Sequence, residues 1–163
     1  MNAYSRYAVI VAVFATGLYL ALVIAVFGIV TLLTDLEPVG DPDAGVLAGP
    51  VMIGAATVAV AAVLLSVGLG RPPERQRVSL LWSFVAAVAA YLAYVVAGFI
   101  VLGSGPAAED GVLPVLVGVA AGPHVFAAAV AAFAVGLAYT AVLGARTGGA
   151  ERPRWPWEDR DEP

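Results

Sequence analysis

Four stretches without a formal charge decide what this chain can become: residues 7–34, 44–70, 78–108 and 111–145. The shortest, 44–70, holds 27 residues, and about 20 in a helix suffice to cross ~30 Å of hydrocarbon. Lipid offers no partner for backbone N–H and C=O groups, so each crossing must be helical. Composition agrees. The chain is 61 % hydrophobic and 12 % charged, where soluble domains sit near about half and a quarter.

The expected fold class is all-α, a polytopic membrane protein with a four-helix transmembrane bundle. Residues 1–6 form a short tail with Arg6, 7–145 the bundle, and 146–163 a flexible tail rich in Gly, Pro and charge. The spans fall at about 7–33, 49–70, 78–102 and 123–143. The first apolar run exceeds the about 7–15 residues of a signal h-region and reads as a retained span. Pro50 stands in the first turn of span 2, where its missing N–H costs nothing. The last window is too long for one straight span, and Gly122-Pro123 breaks it. Residues 112–121 then either prolong span 4 across a kink or lie at the interface.

Charge sorts by side. Arg6, then Arg71, Arg75 and Arg77, then Arg146, Arg152, Arg154 and Arg160 fall on one side of a four-span path. Asp35, Glu37, Asp41, Asp43, Glu109 and Asp110 occupy the other, with no basic residue. The positive-inside bias places both termini and the Arg loop in the cytoplasm, which makes the plasma membrane the expected site.

The two hairpins resemble each other. Tyr19, Val23 and Phe27 recur 72 positions on as Tyr91, Val95 and Phe99; Gly49-Pro50, Ala55 and Ala59 recur 73 on as Gly122-Pro123, Ala128 and Ala132. An internal repeat of two duplicated hairpins accounts for both offsets with one inserted residue. Small residues at four-residue spacing mark the expected packing seams: Gly17, Ala21 and Ala25 in span 1, Ala89, Ala93 and Ala97 in span 3, Ala128, Ala132 and Gly136 in span 4. In lipid, helices associate by close backbone approach, which short side chains permit.

Few residues carry chemistry. With no Cys, disulfides, thiolate nucleophiles and Cys-based metal sites are excluded. The acidic outer loop lacks EF-hand spacing and reads as solvated. No nucleotide loop, hydrolase triad or intramembrane carboxylate pair occurs, so neither an enzyme nor a cofactor is expected, and nucleic-acid binding has no support. His124 is the one ionisable side chain within an apolar window. It reads as a proton relay or ligand, or, at the outer end of span 4, as a hydrogen-bonded interfacial histidine; its position favours the second. Tyr19 and Tyr91 sit near mid-membrane. Together with His124 they are candidates for a polar cavity, against the plainer reading of gap-fillers bonded to a backbone carbonyl. Trp155 and Trp157 in the tail are candidates for docking a membrane or cytoplasmic protein partner, or for resting on headgroups.

The four-span plan, the Arg-only inner loops and the tail Arg152-Pro153-Arg154-Trp155-Pro156-Trp157-Glu158 resemble small uncharacterised integral membrane proteins of actinobacteria. That resemblance implies no activity and transfers no site residue. The reading from sequence is a non-enzymatic accessory or interaction subunit in the lipid bilayer. The alternative is a small transporter or channel, as a monomer or a homo-oligomer.

Topology is directly testable. A reporter fused at residue 163 is expected in the cytoplasm and one inserted after Gly40 outside. Access to Gly40 from the cytoplasm alone would overturn the layout.

Overall fold

The computed structural model describes residues 3–36, 39, 46–70, 78–104 and 111–147. Among them are five helices and no strand: α1 (Ala3–Thr34), α2 (Ala48–Gly70), α3 (Leu80–Gly103), α4 (Val112–Ala121) and α5 (Pro123–Thr147). α1, α2, α3 and α5 are long and apolar enough to cross a membrane. The 23 residues of α2 extend roughly 35 Å at about 1.5 Å each, enough for the ~30 Å hydrocarbon layer. Their outward faces carry large apolar side chains such as Phe14, Leu32, Leu81, Phe84 and Val130, all exposed. In water this surface would be untenable. In lipid it is the expected one, and the chain is a multi-pass membrane protein.

Local chemistry sets the ends. Ser79 takes an extended conformation before α3, and its Oγ accepts a hydrogen bond from the Trp82 N–H at 3.4 Å. After α1 the chain turns at Asp35, which holds φ 53° and donates its N–H to the Thr31 carbonyl at 2.9 Å. Asp is among the few non-glycine residues that adopt this left-handed position readily. Between α4 and α5 stands Gly122 with ψ 150°. This extended residue, followed by a proline without an N–H, separates residues 112–121 into a helix of their own.

The four long helices form a ring. α1 packs on α2 and α5, α3 packs on the same two, and α4 lies mainly against α3. Each helix thus neighbours the one that precedes it in sequence, with α5 closing back on α1. Inward lines run at three- and four-residue spacing. α1 contributes Ala8, Ala12, Ala15, Tyr19, Val23 and Phe27; α3 contributes Ser83, Ala86, Ala90, Tyr94 and Ala97. α2 contributes Met52, Ala56, Val60 and Leu64, and α5 contributes Ala128, Ala132, Val135 and Tyr139.

Two of the small-residue ridges read from sequence lie elsewhere. Gly17, Ala21 and Ala25 are exposed, on the side of α1 opposite its buried line, and Ala89 and Ala93 are half-buried with only Ala97 inside. Helices so rich in Ala and Gly carry four-residue ladders on more than one face. The inward face is the one whose Tyr and Phe fill the centre of the ring. On α5 the ridge does face inward, and Gly136 is packed so closely that an added Cβ would come 3.0 Å from Ser83 Cα. At the offsets of the hairpin repeat, buried Tyr19, Val23 and Phe27 meet half-buried Tyr91 and Val95 and exposed Phe99. Inward faces do not superpose there.

Substitution on α5 separates seam from lipid face. Ala132 is fully buried and Ala134 exposed. Overpacking such a site costs about 1–3 kcal/mol, so Ala132→Leu is expected to lower the melting temperature in detergent well below that of Ala134→Leu. Equal melting of the two would remove the seam.

Candidate functional site

The polar side chains inside the ring define the candidate site. Most hydroxyls in the helices are satisfied within their own helix. Thr16 and Thr57 donate to the carbonyls of Ala12 and Ile53, each at 2.8 Å, and Ser83 donates to Ser79 O at 3.0 Å. Helical residues four apart place hydroxyl and carbonyl in reach, so these groups contribute nothing to a cavity.

His124 is 4 % exposed, and its Nε2 lies 3.2 Å from Thr31 Oγ1. A hydroxyl both donates and accepts, so the bond forms with either tautomer of the neutral ring. Phe27 packs its ring edge-to-face on His124, with centroids 4.9 Å apart, and on Tyr94, at 6.0 Å. Thr31, Phe27, His124 and Tyr94 therefore form one cluster joining α1, α3 and α5, at the end of the ring where α1 finishes and α5 begins. Tyr19, also fully buried, lies on the same face of α1 about two turns before Phe27.

At the opposite end of the ring, Tyr139 donates to the Ala8 carbonyl at 3.4 Å, and its hydroxyl fills the space where a Cβ on Gly68 would go. Glycine at 68 is what lets one tyrosine tie α5 to α1 and α2 together.

Tyr91 belongs to neither group. Its hydroxyl donates to Ala120 O at 2.9 Å and its ring tilts against Phe126. Gly122 and Pro123 interrupt the helical ladder there, and Tyr91 replaces a missing backbone donor. Of the three cavity residues read from sequence, Tyr19 and His124 are both buried inside the ring and Tyr91 stands apart, half-buried. Its place is taken by Tyr94, one helical turn on. Thr31 and Phe27 were legible in principle, because Tyr19, Val23, Phe27 and Thr31 recur every four residues on one face. Among the described residues no group of three or more His, Cys, Asp or Glu could hold a metal ion. Trp155 and Trp157, and the Arg loop 71–77, lie outside the described residues.

Loss of the Tyr91 hydroxyl has a definite consequence. Tyr91→Phe keeps the ring but leaves Ala120 O without its donor, at a cost of about 1 kcal/mol or more. The melting temperature is expected to fall by roughly 2–4 °C, and amide exchange at the α4–α5 junction should accelerate. Unchanged exchange there would show that the bond does not hold the break.

Comparison with known proteins adds one match. A family model described as a family of unknown function (DUF6121) covers residues 1–163, so the chain belongs to that family. No curated protein and no solved structure matches it.

Proposed function

We propose that this member of DUF6121 is a non-enzymatic accessory or interaction subunit of the plasma membrane, with both termini in the cytoplasm and the actinobacterial character its layout resembles. The observation that carries the reading is the packing of the ring. Its own side chains occupy it from Ala8 and Tyr139 at one end to Phe27 and His124 at the other. Contact with anything larger then falls to the outer surface. The sorting of Arg residues supports the orientation.

Two surfaces support a role in contact. α1 is the least enclosed span, with 17 % of its apolar window buried against 44 % for α5. Its exposed Gly17, Ala21 and Ala25 would let a neighbouring helix approach its backbone closely. In the cytoplasmic tail, Trp155 and Trp157 are separated by Pro156, which favours an extended segment and lowers the entropy lost on docking.

Co-purification in mild detergent tests both surfaces. Ala21→Leu with Ala25→Leu, and separately Trp155→Ala with Trp157→Ala, are expected to reduce recovery of one defined partner severalfold. Melting of the Ala21→Leu, Ala25→Leu variant should not change, because both residues are exposed on α1. Recovery equal to the parent in both variants would sink the interaction reading.

A second reading, a small transporter or channel, draws on the interior cluster of Tyr19, Tyr94, Thr31 and His124. It requires a hydrated route from one side of the membrane to Tyr94, past the Phe27 and His124 rings.

A further inference from the structure

Where α1 finishes, its hold on the ring narrows to one aromatic contact and one polar link. Phe27 is the last buried residue of α1; Val30 and Thr31 are half-buried and residues 32–36 exposed. Among the described residues, the one hydrogen bond joining α1 to another helix at this end runs between Thr31 Oγ1 and His124 Nε2, at 3.2 Å. The neighbouring Thr34 hydroxyl is spent on the Val30 carbonyl of its own helix, at 2.7 Å. His124 is 4 % exposed, with the Phe27 ring edge-to-face against it at 4.9 Å, and it is the only histidine in the chain.

This enclosure suits a neutral imidazole and not an imidazolium. A charge taken from water into an apolar interior is costly unless something pairs with it, and the helices supply no counter-charge. Phe27 and Thr31 of α1 are uncharged. α3, which reaches the cluster through Tyr94, has only the phenols of Tyr91 and Tyr94 as titratable groups, and α2 and α4 have none. Asp35 is exposed, one turn beyond Thr31; Glu37, Asp41, Asp43, Glu109 and Asp110 lie outside the described residues. His124 also stands in the first turn of α5, which starts at Pro123, and the unpaired N–H groups of a helix N-terminus oppose a positive charge.

We propose that His124 is a pH-sensitive latch: the neutral ring holds the end of α1 against α5, and protonation releases it. The closed contact accepts only the neutral ring, whereas a histidine released to water titrates at about 6.5. The contact is therefore at full strength above about pH 6.5, and each pH unit below shifts the equilibrium about tenfold towards release. α1 is the element set to move, because it is the least enclosed span, with 17 % of its apolar window buried. With one histidine and no cysteine, no other side chain of this chain ordinarily titrates between about pH 5 and 8. The latch is independent of any partner the lipid-facing surface takes.

Thiol labelling of the full chain in mild detergent tests the latch, because the chain has no cysteine of its own. Ala128→Cys reports release: Ala128 is fully buried, one turn along α5 from His124. Ala86→Cys, equally buried on α3 one turn from Ser83, reports general opening. Each is labelled with a pyridyl disulfide, which reacts with thiols in mild acid, between about pH 7.5 and about pH 5.5, a window in which histidine ordinarily titrates and carboxylates do not. The same two positions are labelled in a His124→Gln background, whose amide can bond Thr31 and never takes a charge. The ratio of rates, His124 over Gln, cancels the ionisation of the thiol. At Ala128→Cys that ratio is expected to rise about tenfold per pH unit below about pH 6.5, and at Ala86→Cys to stay level. A level ratio at Ala128→Cys, or an equal rise at both positions, would overturn the proposal. If His124→Gln does not fold, the Ala128→Cys rate divided by the Ala86→Cys rate in the His124 protein gives the same test.

Discussion

Inside hydrocarbon a backbone amide or carbonyl has no solvent to turn to, and this protein is arranged around that constraint. Four of its helices satisfy it by unbroken ladders. The one internal break, at Gly122-Pro123, occurs where an extended glycine and a residue without an N–H free a carbonyl at Ala120. A tyrosine from α3 reaches across to accept the role of donor. The serine and threonine hydroxyls follow the same rule by turning back onto their own helices. The polar groups left for tertiary use are few and lie at separate points: Thr31 with His124, Tyr91 at the α4–α5 break, and Tyr139 against Ala8.

Once the helices exist, apolarity no longer tells them where to meet, because lipid tails are as apolar as their side chains. Shape decides instead. Gly136 lets α5 lie against Ser83 of α3; Gly98 admits Met52 of α2 and Val119 of α4; Gly68 admits Tyr139. Where the helices stand further apart, Tyr19, Tyr94 and Phe27 fill the gap. Small residues at contacts and aromatic residues at the centre are two halves of one packing solution. The same aromatic residues bring hydroxyls into the middle of the ring, and those of Tyr19 and Tyr94 make no hydrogen bond among the described residues.

Existence and approximate extent of the long helices were legible in the spacing of charges, because a charge-free run of 27 residues or more has few alternatives in a membrane. The break before Pro123 was legible too, since proline removes a donor wherever it stands. The facing of the helices was not. Gly17, Ala21 and Ala25 form as regular a ladder as Ala8, Ala12 and Ala15, yet only the second points inward. Likewise Tyr91 and Tyr94 are both mid-span tyrosines on one helix, three residues and so about 60° apart around its axis. That turn sends one to a neighbouring carbonyl and the other to the centre of the ring.

Sequence by itself therefore determined the class of the protein, the number of its crossings and the point at which the last is interrupted. Hydrophobicity and charge act locally, along the chain, and need no knowledge of neighbours. Only the tertiary structure decided which ridge became a seam, which tyrosine was buried without a partner, and that His124 pairs with Thr31. Those outcomes depend on rotation about each helix axis, and on helices apolar all round that rotation is set by mutual fit.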